Sequence, residues 1–320
     1  MQTGCFPTPM AQTGERVAMQ DIAWDRYVRD AAMAWLHEMN PAESKLFRRE
    51  ELEGFVVRGV RIPLLDRQRG IRKPIQMSAA LSIRTTFTPP GQRPPYDDAT
   101  GPDGRVRYKY RGLDPRHPDN AALRAAMDDR LPLIWFVGAV VGAYVPIFPV
   151  WTVDEEADQH QFVLALDAAQ SLIPVGPITD SIQRAYVERQ TRARLHQPLF
   201  RAQVLHAYDG QCAICRLRYL SLLDAAHILP DGHPRGTPDV PNGLALCKIH
   251  HAAFDQNLLG IRPDSMVVVR ADIQAAVDGP MLRHGLQAMN GVRLALPVSR
   301  TARPDPARLE ERYEEFIHAG

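Results

Sequence analysis

Residues 209–261 read DGQCAICRLRYLSLLDAAHILPDGHPRGTPDVPNGLALCKIHHAAFDQNLLGI, and two interleaved patterns in that stretch decide how the second half of the chain folds. The first is Cys212-x2-Cys215 followed by Cys247-x2-His250. Thiolates and imidazole at short paired spacings suit a closed tetrahedral Zn²⁺ site, and the turn at Asp209-Gly210 supplies the knuckle before the first pair. Such a clip helps to fold a segment too small to bury much core by itself. The second pattern is His227-x14-Asn242-x8-His251-x3-Asp255. His227 ends the apolar run LLDAAHIL just before Pro230, which places it near the end of a short strand. Asn242-Gly243 implies a tight turn. His251 and Asp255 are four residues apart on an expected helix, so both project from one face and can hold one divalent ion.

These residue types suit phosphodiester hydrolysis. A neutral imidazole near its working pKa can take a proton from water. A hard divalent ion can stabilise charge on the phosphate and on the departing 3′ oxygen. An asparagine can pin the loop so that the base faces the scissile phosphorus. At these residues the chain resembles the HNH, or ββα-metal, nucleases, and the wording DGQCAIC…LDAAHILP…PNGLALCKIHHAAFD is similar to McrA-like, zinc-containing predicted restriction endonucleases. The resemblance runs from about Phe200 to Ile261 and more weakly into DGPMLRHGLQ. It implies His227 as general base, Asn242 as positioning residue and His251 as a catalytic-metal ligand, with Cys212, Cys215, Cys247 and His250 on zinc. It also implies cleavage to 5′-phosphate and 3′-hydroxyl ends. Many members carry Asp or His directly before the base; here that residue is Ala226, and Asp224, on the same strand parity, is the candidate substitute beside Asp255.

Composition narrows the rest. With 45% hydrophobic and 23% charged residues over 320 positions, the chain reads as ordinary globular protein with room for two domains. Its net charge of +1 gives no global nucleic-acid signal, so any basic surface must be local. Three of the four cysteines fall in the zinc-like cluster, which leaves no disulfide framework and points to a reducing, cytoplasmic setting. No secretory pattern is read at the N-terminus. The uncharged run LPLIWFVGAVVGAYVPIFPVWTV, 131–153, is as long as a membrane span, yet its prolines, glycines and β-branched residues predict two or three buried strands and no membrane association.

The reading expects an α+β protein. Residues 1–17 form a flexible lead-in, 18–178 a β-rich domain entered by an amphipathic helix over 20–39, and 179–200 a basic linker helix. Residues 201–262 form the HNH domain, and 263–320 an extension packed on it, with a helix starting at Asp305-Pro306. Pro89-Pro90-Gly91 and Pro94-Pro95 mark a long loop. Between Arg67 and Arg111 stand ten Lys/Arg against three acids. The strand RVRYKYR alternates Arg105, Arg107, Lys109 and Arg111 with apolar residues, which predicts one basic face for DNA. Arg192 and Arg201 extend that expectation to the linker, although a solvated face would carry the same charges. His233 and Arg235 read as ordinary loop residues. By analogy with McrA-like architectures, the first half is expected to be an SRA/PUA-like barrel that selects the target, with a flipped modified base as its ligand.

The expected function is a Mg²⁺- or Mn²⁺-dependent, zinc-stabilised endonuclease on double-stranded DNA that serves restriction and defence; a homodimer is one arrangement that would cut both strands. Two alternatives stand beside it: a nuclease effector whose first half senses a nucleotide or a protein, and a zinc-dependent DNA-binding protein without catalysis.

Overall fold

The computed structural model describes residues 21–41, 45–89, 100–176 and 181–319. The expected flexible lead-in and most of the proline-marked loop lie outside these residues. In chain order, helix α1 (Ile22–Met39) is followed by β1 (Phe47–Arg48), α2 (Arg49–Leu52), β2 (Val56–Val57), β3 (Val60–Arg61), β4 (Ile71–Arg72), β5 (Ser82–Thr85) and β6 (Val106–Lys109). Then come α3 (Pro118–Asp128), β7 (Leu133–Val140), β8 (Ala143–Glu156), β9 (Gln161–Ala165) and α4 (Ala168–Ser171). The fold is α+β, with a curled N-terminal sheet in the order β4-β5-β7-β8-β9-β6 and β1 added against β8. All its pairings are antiparallel except β5 with β7. The curl brings its ends together, so that the Tyr108 hydroxyl of β6 lies 3.0 Å from the Gly70 carbonyl and 3.1 Å from that of Arg84 on β5.

The run at 131–153 forms the β7–β8 hairpin, turned at Gly142, which takes a φ of 73°. No described helix is long and apolar enough to cross a membrane. Both faces of β7 are covered, which is why its sequence lacks alternation. Leu133, Trp135, Val137 and Ala139 enter a core with α3, while Ile134 and Phe136 enter a second core under α1. Gly138 is a close-approach position, because a Cβ there would stand 2.2 Å from the Phe87 nitrogen. Burial also fixes α1: the Arg29 guanidinium, 0% exposed, donates to the carbonyls of Pro132 and Ala80 and pairs with Asp25.

The basic strand needs a correction. Arg105 is 0% exposed and donates to the carbonyls of Pro174 and Ile173 beside Asp103. Arg107 is buried between Asp103, at 2.6 Å, and Glu156, at 2.7 Å. Lys109 bonds Gln161, and Arg111 pairs with Asp119 at 2.6 Å. β6 is covered on both faces, and Asp103, Asp119 and Glu156 neutralise it, so these residues do not form an open basic face. α3 is also absent from the expectation, although His117 and Pro118 provide an N-cap and an N1 proline.

From Ser181 the chain is helical to Ala207, as α5 (Ser181–Thr191), a π-helical turn (Arg192–His196) and α6 (Gln197–Ala207). Beyond it stand β10 (Leu223–His227), β11 (Gly243–Cys247), α7 (Lys248–Asp255), β12 (Leu259–Ile261), β13 (Val267–Val269), α8 (Ala271–Ala275), α9 (Pro280–Gly285) and α10 (Pro306–Ala319). A third core joins α6, β10, β11, α7, β12, β13 and α10. Asp305 caps α10 through its bond from the Ala307 nitrogen.

Candidate active site and metal centre

The antiparallel pair β10–β11 sets the geometry, with His227 opposite Gly243 and Leu223 opposite Cys247. Cys247 then serves as N-cap residue of α7, so the hairpin hands the chain directly to the helix that carries His250 and His251. Adjacent residues on a helix diverge by about 100°, which sends His250 inward and leaves His251 partly open.

Cys212, Cys215, Cys247 and His250 bring their ligand atoms within 4.8 Å of one another, the sole such cluster of His, Cys, Asp and Glu among the described residues. The Cys215–Cys247 sulfurs are 3.9 Å apart, and His250 Nδ1 lies 3.5 Å from the Cys212 sulfur and 3.2 Å from that of Cys247. Ligands of a tetrahedral zinc with ordinary Zn–S and Zn–N bonds stand about 3.5–3.8 Å apart, so the donor set fits that ion. His250 Nε2 donates to the Gly285 carbonyl at 2.8 Å, which fixes the tautomer and presents Nδ1 to the metal. The electrostatics agree with a cation site. Hydrogen bonds from Cys215 and Cys247 draw the Cys212 thiol far down, while burial of His250 is outweighed by Cys212 and Cys247, which push its ring up to about 10.

His227 lies at the other end of the β10–β11 pair from Cys247, in a cavity of about 420 Å³ lined also by Phe200, Arg201, Asp224 and His251. Its ring stacks on Phe200, with centroids 4.1 Å apart and planes 17° from parallel. Nε2 is buried without a hydrogen-bond partner among the described residues. Burial, helped by the charge of His251, lowers the pKa of His227 below 6.5 against the opposing pull of Asp231, Asp255 and Asp239. The ring is therefore neutral at pH 7.

Asn242 is 0% exposed and forms the fixed end of the loop that follows the base. Its Oδ1 accepts from the Leu229 nitrogen at 3.0 Å, and Nδ2 donates to the carbonyls of Leu229 and Thr237, each at 3.0 Å. The loop from 229 to 241 is thus tied at both ends by one side chain.

The three expected ligands of a catalytic ion do not converge on one ring nitrogen. His251 Nδ1 is 3.9 Å from Asp224 Oδ2, whereas its Nε2 is 3.4 Å from Asp255 Oδ2. Asp224 and His251 line the cavity with the base. Burial would raise the Asp224 carboxyl, but its bond with Lys248 and the charge of Arg201 hold it below the ordinary carboxylate value.

The remaining basic candidates are occupied. Arg201 pairs with Asp224 at 3.1 Å and donates to the Leu223 carbonyl; Arg192, half exposed, pairs with Asp231 at 3.0 Å. His233 and Arg235 both contact Glu311 of α10. Sequence reasoning missed Phe200 and Lys248 as members of the site. Lys248 stands one residue after the Cys247 ligand, in the first turn of α7, and could have been found from that position; no local signal announces a ring stack between residues 27 positions apart.

Residues 212–262 match a family model described as HNH endonuclease, HNH_2. Among solved structures, a modification-dependent TagI restriction endonuclease aligns with 20% identity over 78% of this chain and 85% of that chain, with a TM-score of 0.27. That superposition is too loose to carry an argument. No curated protein matches.

Proposed function

We propose that the HNH endonuclease domain of this chain hydrolyses the phosphodiester backbone of double-stranded DNA, and that the first half selects where it does so, in the restriction of foreign or modified DNA. The observation that carries the reading is the cavity in which neutral His227 faces Asp224, Arg201 and His251. With Nε2 buried, Nδ1 is the ring nitrogen left to accept a proton from water. Arg201, held by Asp224 and the Leu223 carbonyl, lines the same cavity, and Asn242 keeps the loop beside the base in place.

His251 and Asp224 would hold the catalytic ion, Mg²⁺ or a similar divalent, with Asp255 accepting from the other ring nitrogen of His251 and so orienting it. When bound, that ion supplies Lewis-acid stabilisation of charge on the phosphate. The Cys212, Cys215, Cys247 and His250 set holds zinc in a structural role, because all four positions are taken by protein and none is left for substrate. Direct phosphate contact by Arg105 and Arg107 is not part of this reading, since both are consumed by internal partners.

The test is cleavage of matched duplexes carrying cytosine, methylcytosine, hydroxymethylcytosine or phosphorothioate, with Mg²⁺, Mn²⁺ or EDTA. Metal-dependent cutting that favours one duplex supports both parts of the reading. Equal cutting of all four removes the selective role of the first half, and no cutting with any ion removes the nuclease.

A further inference from the structure

The helical segment from Ser181 to Ala207 is bonded to both halves of the molecule. Toward the N-terminal sheet, Thr191 Oγ1 donates to the Gly104 carbonyl at 3.0 Å, Arg194 donates to the Phe148 carbonyl of β8 at 2.6 Å, and Gln203 donates to the Ala139 carbonyl of β7 at 3.1 Å. Toward the nuclease, Arg192 pairs with Asp231 and Phe200 covers one face of the His227 ring. The same turns of α6 therefore feed two cores, with Ala202 in the one that holds α3 and Phe200 in the one that holds β10 and β11. The π-helical turn at Arg192–His196 is where the segment faces β8 on one side and the loop after the base on the other.

The hairpin is shaped to accept Phe200. Gly243 pairs directly with His227, and a Cβ there would stand 2.4 Å from Val204 Cγ2 and 3.0 Å from Phe200 Cζ. The absence of a side chain at 243 lets α6 approach closely enough for the ring of Phe200 to lie flat on the imidazole. Nε2 of that imidazole has no hydrogen-bond partner among the described residues, so the stack and the strand that bears the ring are what hold its plane.

We propose that Phe200 is a positioning residue for His227, held against the imidazole by a helix that also seats on the N-terminal sheet. The proposal rests on the assignment of His227 as general base and adds a residue from outside the matched 212–262 segment. A base held to within a fraction of an ångström by a neighbour loses roughly tenfold to a hundredfold in rate when that neighbour is removed.

The experiment compares Phe200→Leu and Phe200→Met with Leu205→Ala in the full-length chain, using single-turnover cleavage at saturating DNA, DNA binding by anisotropy, thermal unfolding, and the NMR shift of the His227 ring protons. Leu205 lies on the same helix and in the same core but does not line the cavity of the base, so its truncation reports loss of packing alone. Expected are a rate at saturation lower by roughly tenfold or more in both Phe200 variants, unchanged DNA affinity, and loss of the ring-current shift, whereas Leu205→Ala melts earlier but cuts normally per folded molecule. Phe200 variants that cut within about twofold of the parent chain, or a Leu205→Ala rate that falls in parallel with them, overturn the proposal. His227→Ala serves as the separating control: if it cuts normally, the assignment of the base fails first, and the positioning role fails with it.

Discussion

Replacing Asn242 with alanine removes three hydrogen bonds from a fully buried side chain, all to the backbone of the loop that follows the base. At about 1 kcal/mol each these bonds are worth about 3 kcal/mol. Thr237 is exposed and its carbonyl can turn to water, whereas Leu229 is buried and its N–H and C=O lose partners that water cannot easily replace. The expected net loss is therefore about 2–3 kcal/mol, which lowers the unfolding midpoint of the nuclease half by roughly 5–10 °C. Asn242→Asp should do no better, because it keeps the acceptor for Leu229 but points an anion at two carbonyl oxygens. Calorimetry with the single-turnover cleavage rate, measured well below the midpoint, separates the two consequences. The rate should fall roughly tenfold or more while the protein is still folded, since the loop beside His227 is no longer tied down. A variant that melts within about 1 °C of the parent and cuts at the parent rate would refute the reasoning, because one buried amide would then be neither holding the loop nor placing the base.

The zinc centre predicts that Cys215→Ser, or prolonged exposure to a strong chelator, lowers bound zinc by elemental analysis and the unfolding midpoint together; full stability at zero zinc would contradict it. The lowered pKa of His227 predicts a cleavage profile that rises through an inflection below pH 6.5 and is flat from there to neutrality, and an inflection above 6.5 would contradict it. The same depression has a sign in stability: the unfolded chain binds the proton more readily, so this group's contribution is present above pH 6.5 and is lost as pH falls through the folded value. Arg107→Ala leaves the buried Asp103 carboxylate with Arg105 as its remaining cation and should cost about 2–3 kcal/mol in a thermal melt without a specific loss of DNA affinity. A normal melt with weakened binding would restore Arg107 to the DNA surface.

What the sequence disclosed follows the range of the interactions. The metal cluster and the base, loop and helix residues all lie within about fifty positions, and each is announced by a local rule: paired ligand spacing, an Asn-Gly turn, an i, i+4 helix face. The β7–β8 hairpin was legible for a similar reason, since prolines, glycines and β-branched residues punctuate the run. Arg105 and Arg107 were misread because, besides Asp103, the groups that bury them come from Pro174, Ile173 and Glu156, some fifty to seventy positions away and outside any window count of charge. Residues 179–200 read as a basic linker helix from their arginines, yet the helical segment runs on to Ala207 and its apolar residues feed two cores, and the stack of Phe200 on His227 exists only once β10 and α6 have packed.

The claim on which all of this depends is that the imidazole at 227 activates water for backbone cleavage. His227→Ala, assayed for plasmid nicking with Mg²⁺ or Mn²⁺ beside a thermal melt and a DNA-binding curve, tests it most directly. The account predicts a folded, DNA-binding protein whose cutting falls by roughly a hundredfold or more, as expected for loss of a general base. Nicking at the parent rate by that variant would contradict it.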